Sequence, residues 1–103
     1  MPSAFITGLA GPTLLDAERS FLAASRPAGI ILFARNCVSR EQIRKLIGDS
    51  LDAIGNANAL VLIDQEGGRV QRLRPPLGRA LPPAAAFGTL YAYDPVEACR
   101  LAF

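Results

Sequence analysis

Ala59-Leu-Val-Leu-Ile63, closed by Asp64, is the stretch on which the fold turns. Five consecutive apolar residues without polar alternation fit a buried strand of a parallel sheet. Gly29-Ile-Ile-Leu-Phe33 upstream has the same character and implies a second such strand. The segment between them reads as a helix. Ser39 stands at its cap with Gln42 three residues on, the arrangement that satisfies two free backbone donors at a helix start. Ile43, Leu46, Ile47, Leu51 and Ile54 fall on one stripe at helical spacing, and Gly55-Asn56 ends it.

Working further outward, residues 4–9 predict a strand that ends at Gly11-Pro12. Leu15, Phe21 and Leu22 can share one side of a helix over 14–25, with Thr13 or Asp16 as cap. Pro27 and Gly29 are expected to break the chain before the next strand. Downstream, residues 65–83 are rich in Gly, Pro and Arg and read as a loop. Asp94-Pro95-Val96-Glu97 then opens a last helix, with Asp94 as cap and Pro95 at the first helical position. Nothing closes that helix before Phe103, so the chain is expected to stop within an element.

Strand, helix, strand, helix, strand, loop, helix is the rhythm of a parallel α/β sheet. Three strands leave both sheet edges unpaired and the faces only partly covered. A (β/α)8 barrel needs eight strands and about 250 residues. The 103 residues therefore predict the N-terminal part of a larger enzyme, or else a three-stranded domain that covers itself by oligomerising.

Composition narrows the chemistry. Half the residues are hydrophobic and 19% are charged, enough apolar surface to offset the entropy of ordering. The net charge of +2 is too small to argue for nucleic acid, and no nucleic-acid partner is expected. The absence of histidine excludes a Ser-His-Asp triad, a Cys-His dyad and a His-liganded metal within these residues. Cys37 and Cys99 match no zinc or redox spacing, and no metal or cofactor is expected. The start, Met-Pro-Ser-Ala-Phe, lacks a basic region and a signal-like core. The longest apolar run, residues 28–34, falls far short of the ~20 that span a bilayer, so a cytoplasmic protein without a membrane partner is expected.

Parallel α/β proteins gather ligand-facing residues at the C-terminal ends of their strands. Asp64-Gln-Glu-Gly-Gly-Arg-Val-Gln-Arg72 begins at such an end. Asp64 offers a carboxylate where a substrate hydroxyl could reach it, and equally a turn former or helix cap. Gly67 and Gly68 permit a sharp turn or a close approach of the backbone to a ligand. Arg69, Arg72, Arg74 and Arg79 concentrate four of the eleven basic residues, either as a binding site or as partners of Asp64 and Glu66. Asp64 and Glu66 would lie roughly 6–7 Å apart on one strand face at ~3.3 Å per residue, near the spacing of a glycosidase pair. The following glycines end the extended geometry, and the two are not assigned as catalytic carboxylates. No phosphate-binding loop motif is present.

The nine residues 64–72 resemble the signature of the bacterial β-N-acetylhexosaminidases of glycoside hydrolase family 3 (the NagZ type). Ala28-Gly-Ile-Ile-Leu-Phe-Ala-Arg-Asn36 is similar to that family's second strand and the Arg-Asn after it, and the likeness continues into Leu81-Pro82 and the Phe87 segment. The resemblance implies an incomplete N-terminal barrel domain over 1–103, about three β/α units of a (β/α)8 barrel. It implies removal of terminal β-linked N-acetylglucosamine from muropeptides in peptidoglycan recycling, with retention through a covalent intermediate. It assigns Asp64 to hydroxyls of the sugar and Arg72 to a second substrate contact. Glu66, Gly67, Gly68 and Arg69 are supporting residues, and Arg35 and Asn36 shape the floor of the site. No residue of this chain is assigned a catalytic role. The family's nucleophile is an aspartate on a later strand, and its acid/base is a histidine on a mobile loop. The 103 residues are accordingly expected to be inactive alone and to self-associate through open sheet edges, with a monomeric parent. The alternatives are a catalytically dead saccharide- or protein-binding module, or a β-glucosidase-type family 3 member.

Overall fold

The computed structural model describes all residues 1–103, which divide into two compact units, Met1–Asp64 and Gln65–Phe103.

In the first unit β1 (Ser3–Thr7), β2 (Pro27–Leu32) and β3 (Leu60–Ile63) form a parallel sheet in the order β1-β2-β3. Ile6 pairs with Gly29 and Thr7 with Ile30, while Ile30 pairs with Val61 and Leu32 with Ile63. Helices α1 (Asp16–Ser25) and α2 (Arg40–Ile54) make the crossovers and pack against each other. Leu22 from α1, Leu46 and Ile54 from α2, and Ile30 and Leu32 from β2 meet in one core with Leu9 and Ala59. Because strand side chains alternate, the opposite face of the sheet carries Ile6, Leu60 and Leu62. These are 41%, 53% and 39% exposed. The fully buried third strand expected from its apolar run is thus corrected. β3 is an edge strand, and both helices of this unit lie on one face.

Neither Pro27 nor Gly29 breaks the chain. Pro27 is the first residue of β2, where a missing N–H costs no ladder bond. Gly29 lies inside the strand, and a Cβ there would collide with the backbone of Leu60. The cap of α2 is as expected, with Ser39 Oγ accepting from Gln42 N at 3.1 Å and Gly55 closing the helix in the left-handed region. The start of α1 is not. Neither Thr13 nor Asp16 caps it; Leu15 holds that position and its N–H donates to Glu18 Oε2 at 3.0 Å.

In the second unit the expected loop contains a hairpin, β4 (Gln65–Gly67) paired antiparallel with β5 (Val70–Gln71). Gly67 pairs with Val70, leaving Gly68-Arg69 as a two-residue turn. A helix absent from the sequence reading, α3 (Ala84–Tyr93), follows and packs on α4 (Pro95–Ala102). Asp94 Oδ1 accepts from Glu97 N at 3.0 Å and caps α4 as expected. No helix is long and apolar enough to cross a membrane.

Candidate functional site

All three strands of the parallel sheet end at the same side, so Gly8-Leu9, Phe33–Asn36 and Asp64 follow them at one end of the first unit. Asp64 comes one residue beyond the Leu32–Ile63 pair and is half-buried. A single 3-10 turn, Ala34–Asn36, places Arg35 and Asn36 at the end of β2. Asn36 is fully buried. Its Nδ2 donates to Leu9 O at 3.1 Å and Gly11 O at 2.8 Å, and its Oδ1 accepts from Phe33 N at 2.8 Å. Every polar atom of that side chain is spent in joining the loops after β1 and β2. Arg35 is exposed, with Nε donating to the same Leu9 carbonyl at 2.9 Å and its guanidinium 4.8 Å above the Phe33 ring. Arg35 and Asn36 are thus brought together on one carbonyl oxygen.

In the second unit, Gly67 and Gly68 have φ of +93° and +60°, a region that side chains with a Cβ rarely occupy. They also let the segment returning after the hairpin approach closely. A Cβ on Gly67 would strike the Pro82 carbonyl, and one on Gly68 would come within 2.9 Å of Pro83 Cβ. Gly68 N donates to Leu81 O at 2.9 Å. Glu66 and Arg69 are exposed, and Arg72 is half-buried directly after β5. The guanidinium that braces the turn belongs to Arg74, whose Nη2 donates to Arg69 O at 3.1 Å and Gly68 O at 3.3 Å.

Three glutamines that the sequence reading left without a site role organise these segments. Gln42 Nε2 donates to Pro12 O at 2.6 Å and Asn36 O at 2.7 Å, while Oε1 accepts from Val38 N at 2.8 Å. Gln65 bonds both backbone groups of Leu73, accepting from N at 3.0 Å and donating to O at 2.9 Å. Gln71, only 3% exposed, donates to Leu73 O at 3.0 Å and Arg79 O at 2.6 Å and accepts from Leu81 N at 2.9 Å. Their shared signal is a long primary amide beside a glycine turn or a helix cap, able to donate and accept at once. Burial pushes the Cys37 thiol above its ordinary pKa, which makes it a poor nucleophile.

No family model matches the chain. Curated proteins do. A β-hexosaminidase of Stenotrophomonas maltophilia is 42% identical over 97 residues, covering 94% of this chain and 28% of the relative. A β-hexosaminidase of Xylella fastidiosa is 44% identical over 98 residues, covering 95% of this chain and 29% of the relative. This chain is a homologue of the bacterial β-hexosaminidases. A crystal structure of NagZ from Neisseria gonorrhoeae, solved in complex with N-trifluoroacetyl-D-glucosamine, superposes with a TM-score of 0.83 at 28% identity. That superposition covers 98% of this chain and 29% of NagZ. The chain therefore spans under a third of the length of the β-hexosaminidases it matches. A match over 97 of 103 residues necessarily spans residues 64–72.

Proposed function

We propose that these residues are the first β/α units of a (β/α)8 barrel in a family 3 β-N-acetylhexosaminidase. Its substrate would be muropeptide fragments carrying terminal β-linked N-acetylglucosamine. The observation that carries the reading is the identity of 42–44% to β-hexosaminidases across nearly the whole chain. The bare sheet face with Ile6, Leu60 and Leu62 supports it, since an apolar face requires further elements to exclude water.

In this reading Asp64, at the C-terminal end of a parallel strand, accepts hydrogen bonds from hydroxyls of the terminal sugar. A carboxylate is suited to that task because charge-assisted bonds are short and directional. Arg72 supplies a second contact, and Glu66, Gly67, Gly68 and Arg69 support the hairpin between them in sequence. Arg35 and Asn36 shape the loops at the sheet end. The glycosidic bond is broken with retention, through a nucleophile and an acid/base contributed from outside these 103 residues. The chain by itself binds sugar weakly and does not turn it over.

The decisive experiment measures the intact mass of the native protein bearing this N-terminal sequence, and its hydrolysis of a chromogenic β-N-acetylglucosaminide. A mass several times 10.9 kDa with turnover is expected. Asp64→Ala in that protein should lower kcat/KM about 100-fold, the loss of one or two hydrogen bonds to a charged group. A native mass of 10.9 kDa without turnover, or a preference for β-glucosides, would overturn the reading.

A further inference from the structure

We infer that Gln65 and Gln71 are positioning residues that hold Arg72 for the substrate, an inference that rests on Arg72 being a sugar contact. Arg72 lies between Gln71 and Leu73, and both neighbours are pinned by amide side chains. Gln71 is fixed through its own side chain, which reaches Leu73 O, Arg79 O and Leu81 N from a buried position. Leu73 is fixed by Gln65, whose amide takes both the Leu73 N–H and the Leu73 carbonyl in a two-point contact. The two glutamines face each other across the hairpin ladder, where Gln65 pairs with Gln71. The backbone on each side of Arg72 is therefore tied to the same short ladder. An arginine side chain is long and flexible, so its aim depends on a backbone that does not drift.

The chemistry admits few substitutes. Glutamate keeps an acceptor but turns a second oxygen toward the Leu73 and Arg79 carbonyls. Asparagine is one methylene short, and a leucine at position 71 takes from Arg79 O and Leu81 N the amide they bond. Apolar residues could fill the space without defining which backbone atoms meet, and only a donor-and-acceptor group sets that register.

The test uses the native protein with this N-terminus and a chromogenic β-N-acetylglucosaminide. Gln71→Ala and Gln65→Ala are each expected to raise KM about tenfold with kcat within about twofold, since ground-state and transition-state binding are lost together. Arg72→Ala should show the same split. In the Arg72→Ala background neither glutamine substitution should raise KM further by more than about twofold, because residues acting through one group are not additive. Full KM effects of both glutamine variants in that background would overturn the inference while leaving the sugar contact intact. An unchanged KM in Arg72→Ala would overturn the role of Arg72 and the inference with it. Gln65→Glu, which retains the acceptor for Leu73 N, is the milder variant if Gln71→Ala does not fold. It should raise KM about threefold, and no change would count against the proposal.

Discussion

Residues 1–64 and residues 65–103 satisfy their backbones and exclude water in different ways. The first unit does so with regular structure and an apolar core. Leu9, Leu22, Ile30, Leu32, Leu46, Ile54 and Ala59 are buried together. The second unit buries one apolar side chain so thoroughly, that of Ala98, and alongside it the polar side chain of Gln71. Its hairpin has only five strand residues and is held by amides that bond backbone groups up to ten positions away. Hydrophobic burial is non-directional and tolerates small adjustments, whereas a hydrogen-bonded loop specifies particular atoms. A scaffold suits the first kind of stabilisation, and a short hairpin with little apolar core suits the second.

The largest expected break in this comparison comes from Leu46→Ala. The side chain is 1% exposed among α1, α2 and β2, so its truncation should cost about 2–5 kcal/mol in urea unfolding of the chain. Gly67→Ala should cost less, about 1–3 kcal/mol, through its positive φ and the Pro82 carbonyl. Its damage should be local, with faster amide hydrogen exchange at Gly68 and Leu81 and little change at Ile30. Equal loss of protection in both units would contradict their separate stabilisation.

The smallest effect concerns α4. The Arg100 guanidinium holds the Glu97 carboxyl below its ordinary pKa, and both groups are exposed. A lowered folded-state pKa means that this contribution is present above the ordinary carboxylate value and is lost as pH falls through the depressed one. Acidification should therefore loosen the last turn of α4, seen in its amide chemical shifts, and Glu97→Gln should remove that pH dependence. Salt should weaken it too.

How much could be read from residues alone varied with how local the determining interaction is. α2 was legible in full, because the Ser39–Gln42 cap, the apolar stripe and Gly55 all lie within seventeen positions. The parallel strands were legible as apolar runs, but the exposure of β3 was not, since it depends on what covers the sheet. Pro27 and Gly29 look like breakers and are strand residues. Pro27 needs no N–H at its position, and Gly29 is required by Leu60 on the neighbouring strand. α3 was missed because Ala84–Tyr93 is apolar on every side and has no helical period to detect. Of the candidate site, the place of Asp64 at a strand end could be read directly. Asn36 was read as part of a site floor, and its hydrogen bonds, which tie two loops together, could not be read from the sequence. Gln42 was legible as a cap residue but not as a tie to Pro12 and Asn36, and the bonds of Gln65 and Gln71 were not legible, because their partners are distant backbone groups, which look alike in every sequence.

The amino-acid sequence by itself determined the α/β rhythm, the caps of α2 and α4, and the family resemblance carried by the nine residues from Asp64 to Arg72. Each depends on side-chain type at short spacing, where chain geometry leaves little choice. Tertiary structure alone decided which sheet face stays bare, why Gly29 and Gly67 must lack a Cβ, and how two glutamines clamp the backbone around Arg72. Those outcomes depend on segments distant in the chain meeting at particular atoms, and no local pattern encodes such a meeting.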